Sequence, residues 1–306
     1  MSRAVRFDRY GDTDVLYLAE VDIPAPVENE VVVQVRAAGI NPGEIAIRTG
    51  AVGDRLPATF PSGQGSDLAG VISAVGPGVT AWSVGDEVLG WSHRRSSHAD
   101  HVAVPSTQLI PKPPQLEWEI AGSLYVVGCT AYAAVRAVTV IAGDTVAVSA
   151  AAGGVGTVVT QLLQIKKATV LAIASAASSA TLAGLGATPV TYGDGLAARL
   201  REAAPQGIDA FIDLYGPEYV QIAIDLAIPP KRIDTIIARD KARQFGTRND
   251  GSMSASTTTV LTDIVQLVTS GQLTITIAAT YPLDQVRQAY RQLERRHTHG
   301  KIVLIP

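Results

Sequence analysis

The chain has 306 residues, 47% of them hydrophobic and 17% charged, with a net charge of −3 and one cysteine. That length supports two domains with sizeable cores, and a charge balance without basic clusters excludes the electrostatic footprint of a nucleic-acid binder. The lone Cys129 excludes an internal disulfide and a cysteine-rich structural zinc site, and no apolar run reaches membrane-spanning length. Arg3, Arg6, Asp8 and Arg9 leave the N-terminus without a signal-peptide core, so a soluble cytoplasmic protein is expected, with neither membrane nor nucleic acid as partner.

The first hundred or so residues read as β structure. Apolar residues alternate over 30–37, 68–75 and 99–104, punctuated by turns such as Gly76-Pro77-Gly78 and Val84-Gly85-Asp86, the pattern of a compact, irregular barrel. After Pro111-Lys112-Pro113-Pro114 the period becomes helical, over 117–127 and 130–139, which marks a domain boundary near residue 115. Strands at 145–149, 169–174, 188–190, 208–214 and 232–237 then alternate with helices at 154–166, 178–185, 195–204 and 217–227. That alternation implies an α/β domain with a doubly wound parallel sheet. A helix over 256–269, a short strand over 273–277, a helix over 283–294 and a strand over 301–305 complete the chain. The expected division is residues 1–115 with 271–306, and residues 116–270.

The strand at 145–149 runs into Ala150-Ala151-Ala152-Gly153-Gly154-Val155-Gly156 and then a helix, an A-x-G-x-x-G version of the dinucleotide-binding turn. Gly153 lets backbone approach a pyrophosphate, Gly156 lets the helix pack closely on its strand, and the helix N-terminus offers N–H groups to the anion. The next strand ends in Ala174-Ser175-Ala176-Ala177-Ser178-Ser179, with no acid to take a ribose 2′-hydroxyl, which favours NADPH. The serines either donate to the 2′-phosphate or cap the following helix.

His93, His98 and His101 form a tempting cluster, but on a strand His98 and His101 point to opposite faces and do not share a metal. A solvated loop with strand-surface histidines is the reading kept here.

Taken together, Ala38-Gly39-Ile40-Asn41-Pro42-Gly43-Glu44, Ile47-Arg48-Thr49-Gly50, Gly65-Ser66-Asp67-Leu68-Ala69-Gly70, Val84-Gly85-Asp86-Glu87-Val88, Gly128-Cys129-Thr130-Ala131-Tyr132, the glycine turn and Gly300-Lys301-Ile302-Val303-Leu304 resemble the medium-chain dehydrogenase/reductase superfamily, in its zinc-independent quinone oxidoreductase branch. The resemblance implies a GroES-like β-rich catalytic domain built from both termini around a Rossmann domain, with the active site between them. Zinc-dependent relatives place ligands where this chain has Asn41, Ser66 before Asp67, and Val126, so no metal site is expected. Without a Lewis acid, hydride from NADPH is better delivered to a quinone or α,β-unsaturated carbonyl, where charge delocalises.

By the same resemblance, Asn41 lies beside the nicotinamide or substrate, or else is a turn residue before Pro42. Thr130 supports the cofactor, Ala152, Gly153, Gly154 and Val155 hold the pyrophosphate, and Gly216 passes near the cofactor. Ser175 and Tyr192 contact the 2′-phosphoribose, with a half-buried strand-end tyrosine the alternative for Tyr192. Ala46, where many relatives have a tyrosine, suggests a wide substrate pocket, and His93 and Arg94 lie where that pocket opens, unless the arginine is only part of a surface patch. A homodimer is expected through 273–277. Two other readings stay open: an enoyl reductase for a carrier-bound intermediate, and an NADPH-binding protein without turnover.

Overall fold

The computed structural model describes residues 1–296 and 298–306. The chain divides into two compact units, one of residues 1–126, 257–265 and 276–306, the other of residues 127–256 and 266–275. The cut after residue 126 falls inside the helical stretch beyond residue 115, whose first part goes with the first unit and whose remainder goes with the second.

In chain order the elements begin with β1 (Ser2–Phe7), β2 (Tyr17–Val21), β3 (Glu30–Gly39), α1 (Pro42–Arg48), β4 (Ser62–Gly63), β5 (Asp67–Val75), β6 (Glu87–Trp91), β7 (His101–Pro105), β8 (Leu109–Pro111) and α2 (Trp118–Ala121). There follow α3 (Leu124–Ala137), β9 (Thr145–Val148), α4 (Gly154–Ile165), β10 (Thr169–Ala174), α5 (Ser179–Gly184), β11 (Thr188–Thr191), α6 (Leu196–Ala203), β12 (Ala210–Asp213), α7 (Pro217–Asp225), β13 (Ile233–Thr235), α8 (Arg239–Phe245) and α9 (Thr258–Thr269). The last are β14 (Ile277–Pro282), α10 (Val286–Glu294) and β15 (Lys301–Ile305).

The first unit is organised around β3. Its Val31, Val32, Val33, Val35, Ala37 and Ala38 are buried on both faces, and it pairs antiparallel with β5, β7 and β15. β-Branched residues suit such a doubly covered strand. One of its cores contains Val31, Val33, Val35, Leu68 and Val88; another contains Phe7, Ile40, Ile302, Leu304 and the buried stripe Val286, Ala289 and Tyr290 of α10. That stripe falls at i, i+3 and i+4, one face of a helix. The sheet order β14-β15-β3-β5-β6-β8 puts strands from both ends of the chain side by side.

The second unit is a five-stranded parallel sheet ordered β11-β10-β9-β12-β13. The order reverses at β9, so the crevice at the carboxyl ends of β9, β10 and β12 is a topological switch point. A core of Ala147, Leu171, Ile173, Leu200, Phe211 and Ile233 fills one face of the sheet.

The strand expected over 273–277 forms instead as β14, from Ile277 onward. Gln161 explains the shift: its side chain accepts from Thr274 N–H at 2.8 Å and donates to Thr274 C=O at 3.0 Å, so a side chain takes the backbone groups a ladder would use. Among the described residues no helix is long and apolar enough to cross a membrane.

Candidate functional site

In the second unit, the turn after β9 has the geometry its glycines require. Ala150 takes a left-handed φ of 47°, and Gly153 N–H returns to Ala150 C=O at 3.0 Å. A Cβ on Gly156 would stand 2.3 Å from that same carbonyl oxygen, so only glycine lets α4 sit this close to the strand turn. The first helical bond runs from Thr157 N–H to Gly153 C=O, leaving Gly154, Val155 and Gly156 N–H without an intrahelical acceptor. Ala152, Gly153, Gly154 and Val155 are half-buried, and the first turn of α4 holds no acid. The cradle therefore suits a phosphate, with the helix dipole favouring negative charge.

Around the turn, the carboxyl ends of the neighbouring strands carry the other expected contacts. Ser175 follows β10, and its Oγ lies 3.0 Å from that of the buried Ser178; neither hydroxyl makes a cap hydrogen bond to the helical turn that follows it. Tyr192 follows β11 and is 49% exposed, with part of its side chain open to solvent at the strand end. Thr130 is buried within α3. Gly216 caps α7, and its N–H donates to Asp213 Oδ1 at 3.1 Å.

Asp213 was missed by motif reading, yet it shapes this edge. Its Oδ1 also accepts from Ser149 Oγ at 2.7 Å and Tyr215 N–H at 2.9 Å, and its Oδ2 accepts from Thr235 Oγ1 at 2.7 Å. Ser149 Oγ in turn accepts from Leu214 N–H at 2.8 Å. Burial pushes the Asp213 carboxyl up, and these four donors pull it back. The signal was a carboxylate closing the apolar run Ala210-Phe211-Ile212.

In the first unit, Asn41 caps α1 and is 3% exposed. Its backbone N–H donates to Glu44 Oε2 at 2.9 Å, while its amide Nδ2 lies 3.0 Å from Asp67 Oδ2 and 3.4 Å from Glu44 Oε1. Its amide Oδ1 accepts from Lys301 Nζ at 2.6 Å. Ser66 N–H donates to Glu44 Oε1 at 2.9 Å and Val126 N–H to Asp67 Oδ1 at 2.7 Å, so the three positions set beside a metal by resemblance all feed two carboxylates. Tyr290 Oη closes the network on Glu44 Oε2 at 2.6 Å; burial and the Glu44 charge hold that phenol well above its ordinary range.

The substrate-pocket candidates separate. Ala46 is half-buried on α1. His93 is exposed, and its Nε2 accepts from the Trp91 indole N–H at 3.0 Å, which puts the ring proton on Nδ1. Trp91 stacks on Tyr125 with centroids 4.7 Å apart and planes at 10°. The Arg94 guanidinium pairs with Glu30 Oε1 at 2.8 Å. His98 is buried with Nε2 3.3 Å from Gly39 C=O, whereas His101 Nδ1 lies 3.4 Å from Ser2 Oγ. Among the described residues no three His, Cys, Asp or Glu side chains gather closely enough to hold a metal ion.

Comparison with known proteins relates the chain to dehydrogenases and quinone oxidoreductases. The alcohol dehydrogenase GroES-like domain matches residues 27–114, and the zinc-binding dehydrogenase family matches residues 185–304. Rat quinone oxidoreductase is 35% identical across 53% of this chain and 49% of its own length. The structure of the quinone oxidoreductase from Coxiella burnetii aligns with a TM-score of 0.89 at 29% identity, covering 100% of this chain and 99% of that one. Mycobacterial Rv1454c, solved in complex with NADPH, aligns over 100% of both chains with a TM-score of 0.89 at 26% identity.

Proposed function

The chain belongs to the medium-chain dehydrogenase/reductase superfamily, in its quinone oxidoreductase-like branch, and from that premise we propose an enzyme that reduces a quinone or α,β-unsaturated carbonyl with NADPH. The observation that carries the cofactor reading is the α4 N-terminus: a glycine cradle with free N–H groups, at the carboxyl end of the sheet, where Ser175 rather than an acid follows β10. The NADPH complex of the mycobacterial relative supports it.

In this reading Gly154 and Val155 N–H hold the pyrophosphate, with Ala152 and Gly153 giving the backbone room to approach it. Ser175 and Tyr192 face the 2′-phosphoribose, Thr130 supports the cofactor, and Asp213 keeps the turn through Gly216 in place. NADPH, when bound, supplies a hydride that adds to the end of a conjugated acceptor.

The chain's part is to place that acceptor and stabilise the oxygen on which charge develops. Of the pocket candidates, Ala46 leaves room for the acceptor and His93 is exposed to meet it, whereas the Arg94 guanidinium is held by Glu30. The Trp91 indole fixes His93 as the Nδ1–H tautomer, and that N–H is a donor for the acceptor's carbonyl oxygen. Asn41 is a positioning group, because both of its amide atoms are committed to the buried network. We read the protein as a cytoplasmic homodimer; a monomeric mass by light scattering would count against the dimer.

The test is oxidation of NADPH and of NADH, in the presence of a chelator, against ortho-quinones, para-quinones and enones. Turnover that prefers NADPH and survives the chelator is expected. Tight NADPH binding with no turnover on any acceptor would overturn the reductase reading.

A further inference from the structure

One residue of the terminal motif, Lys301, has no part in the nucleotide cradle or the pocket, yet it is 4% exposed. Its ammonium has three protons and meets three oxygens: Ile40 C=O at 3.1 Å, Asn41 Oδ1 at 2.6 Å and Asp67 Oδ2 at 3.2 Å. The sheet order β15-β3-β5 brings these together, since Lys301 opens β15, Asn41 follows β3 and Asp67 opens β5.

The arrangement settles the orientation of Asn41. Its Nδ2 stands between Asp67 Oδ2 and Glu44 Oε1, while its Oδ1 faces the ammonium. A flipped amide would set its N–H groups against the ammonium and its oxygen against the carboxylates, two repulsions in a site shielded from water. Asp67 and Lys301 therefore select one amide orientation from opposite sides. Ile40 C=O, held by the same ammonium, fixes the backbone entering the Asn41-Pro42 turn.

We propose that Lys301 is a positioning residue of the reductase, whose buried ammonium locks the Asn41 amide and the Asn41-Pro42 turn in the arrangement that serves hydride transfer. This rests on the reductase reading above. A lysine that merely balances the charge of Asp67 has a different signature: any neutral pair, or any cation, would replace it.

Two variants separate these roles. Lys301→Met alone leaves Asp67 buried without its counter-charge, so it is made together with Asp67→Asn. Lys301→Arg keeps the charge but offers a planar fork where a tetrahedral ammonium made three bonds. Positioning predicts that in both, kcat with an accepted quinone falls about 100-fold, the loss expected of a misplaced site. KM for NADPH stays within about twofold, since the nucleotide cradle is untouched. The Asn41 side-chain amide protons, followed by NMR hydrogen exchange, lose their protection. Wild-type kcat and a protected Asn41 amide in either folded variant would overturn the proposal. Should the wild-type enzyme turn over no acceptor at all, the reductase reading falls on its own. The exchange measurement then decides the hold of Lys301 on Asn41: loss of protection upholds it, and retention refutes it.

Discussion

Each unit holds a carboxylate buried beside a cation, Asp67 with Lys301 in the first and Asp144 with Arg232 in the second, but two further carboxylates of the second unit are buried by other means. In the first, Asp67 and Glu44 sit in a corner with a cation, the Lys301 ammonium. In the second, Asp213 and Asp234 lie on adjacent strands, with Ile212 opposite Asp234 in register, and among the described residues no ion pair involves either. Burial pushes Asp67, Asp213 and Asp234 all upward. What opposes burial differs: chiefly an opposite charge for Asp67, four hydroxyl and backbone donors for Asp213, and backbone N–H groups for Asp234, whose Oδ2 has no partner. Beside the charges of Asp250 and Asp213, Asp234 is pushed up to about 7. Local dipoles thus offset part of the burial of one carboxylate when enough of them converge, and offset less at the next strand where they do not.

The comparison breaks most visibly at Asp213. Asp213→Ala removes the acceptor of four donors, three of them buried, and a loss of about 3 kcal/mol is expected in urea unfolding, at one or more kcal/mol per unsatisfied buried group. NADPH titration should show weaker binding as well, because the turn through Tyr215 and Gly216 loses its anchor.

Asp234 gives an effect of similar size, and its sign follows from linkage. A carboxyl raised from about 3.9 in the unfolded chain keeps its proton longer in the folded one. Its contribution is therefore fully present below the unfolded value and is lost as pH rises through about 7. Asp234→Asn removes the loss while still accepting from Asp250 N–H. Relative to the wild type, it should gain on the order of 3 kcal/mol between pH 5 and pH 8 in denaturant melts. A flat difference across that range would refute the assignment.

Ser175→Asp places a carboxylate without a counter-charge at the carboxyl end of the sheet, where the 2′-phosphate is proposed to sit. The ratio of kcat/KM for NADPH over NADH should fall at least about tenfold, the order of one close like-charge contact in a partly wet site. The smallest effect is expected at Ala150, which holds a left-handed φ without being glycine. Ala150→Gly relieves that conformation and should raise stability by up to about 1 kcal/mol, read as a small upward shift of the melting temperature.

What could be read in advance divides along the same line. The glycine turn, the serine after β10 and the strand-helix alternation are local, and each lies within a few residues of its own partners. The corner around Asn41 is not local. Asp67 and Lys301 are 234 residues apart, and nothing near Asn41 announces the ammonium that decides its orientation. The same limit applies to Arg94, a pocket candidate whose guanidinium is taken by Glu30, and to Thr274, whose backbone is claimed by Gln161. Asp213 is the intermediate case: a charged residue closing a buried strand was visible, but its four donors come from three stretches of chain.

The separation of Asp67 from Lys301 also bears on how the polypeptide is made. On a ribosome, β3, α1 and β5 emerge early, with the carboxylates of Glu44 and Asp67 committed to a corner that has no cation. All of β9 to β13 is then synthesised, and has the local contacts to fold, before β15 arrives to supply one. During translation the first-formed half is thus the last to be completed, and until then it exposes the Ala38–Gly39 end of β3, beyond the stretch that β7 covers, on which β15 will close.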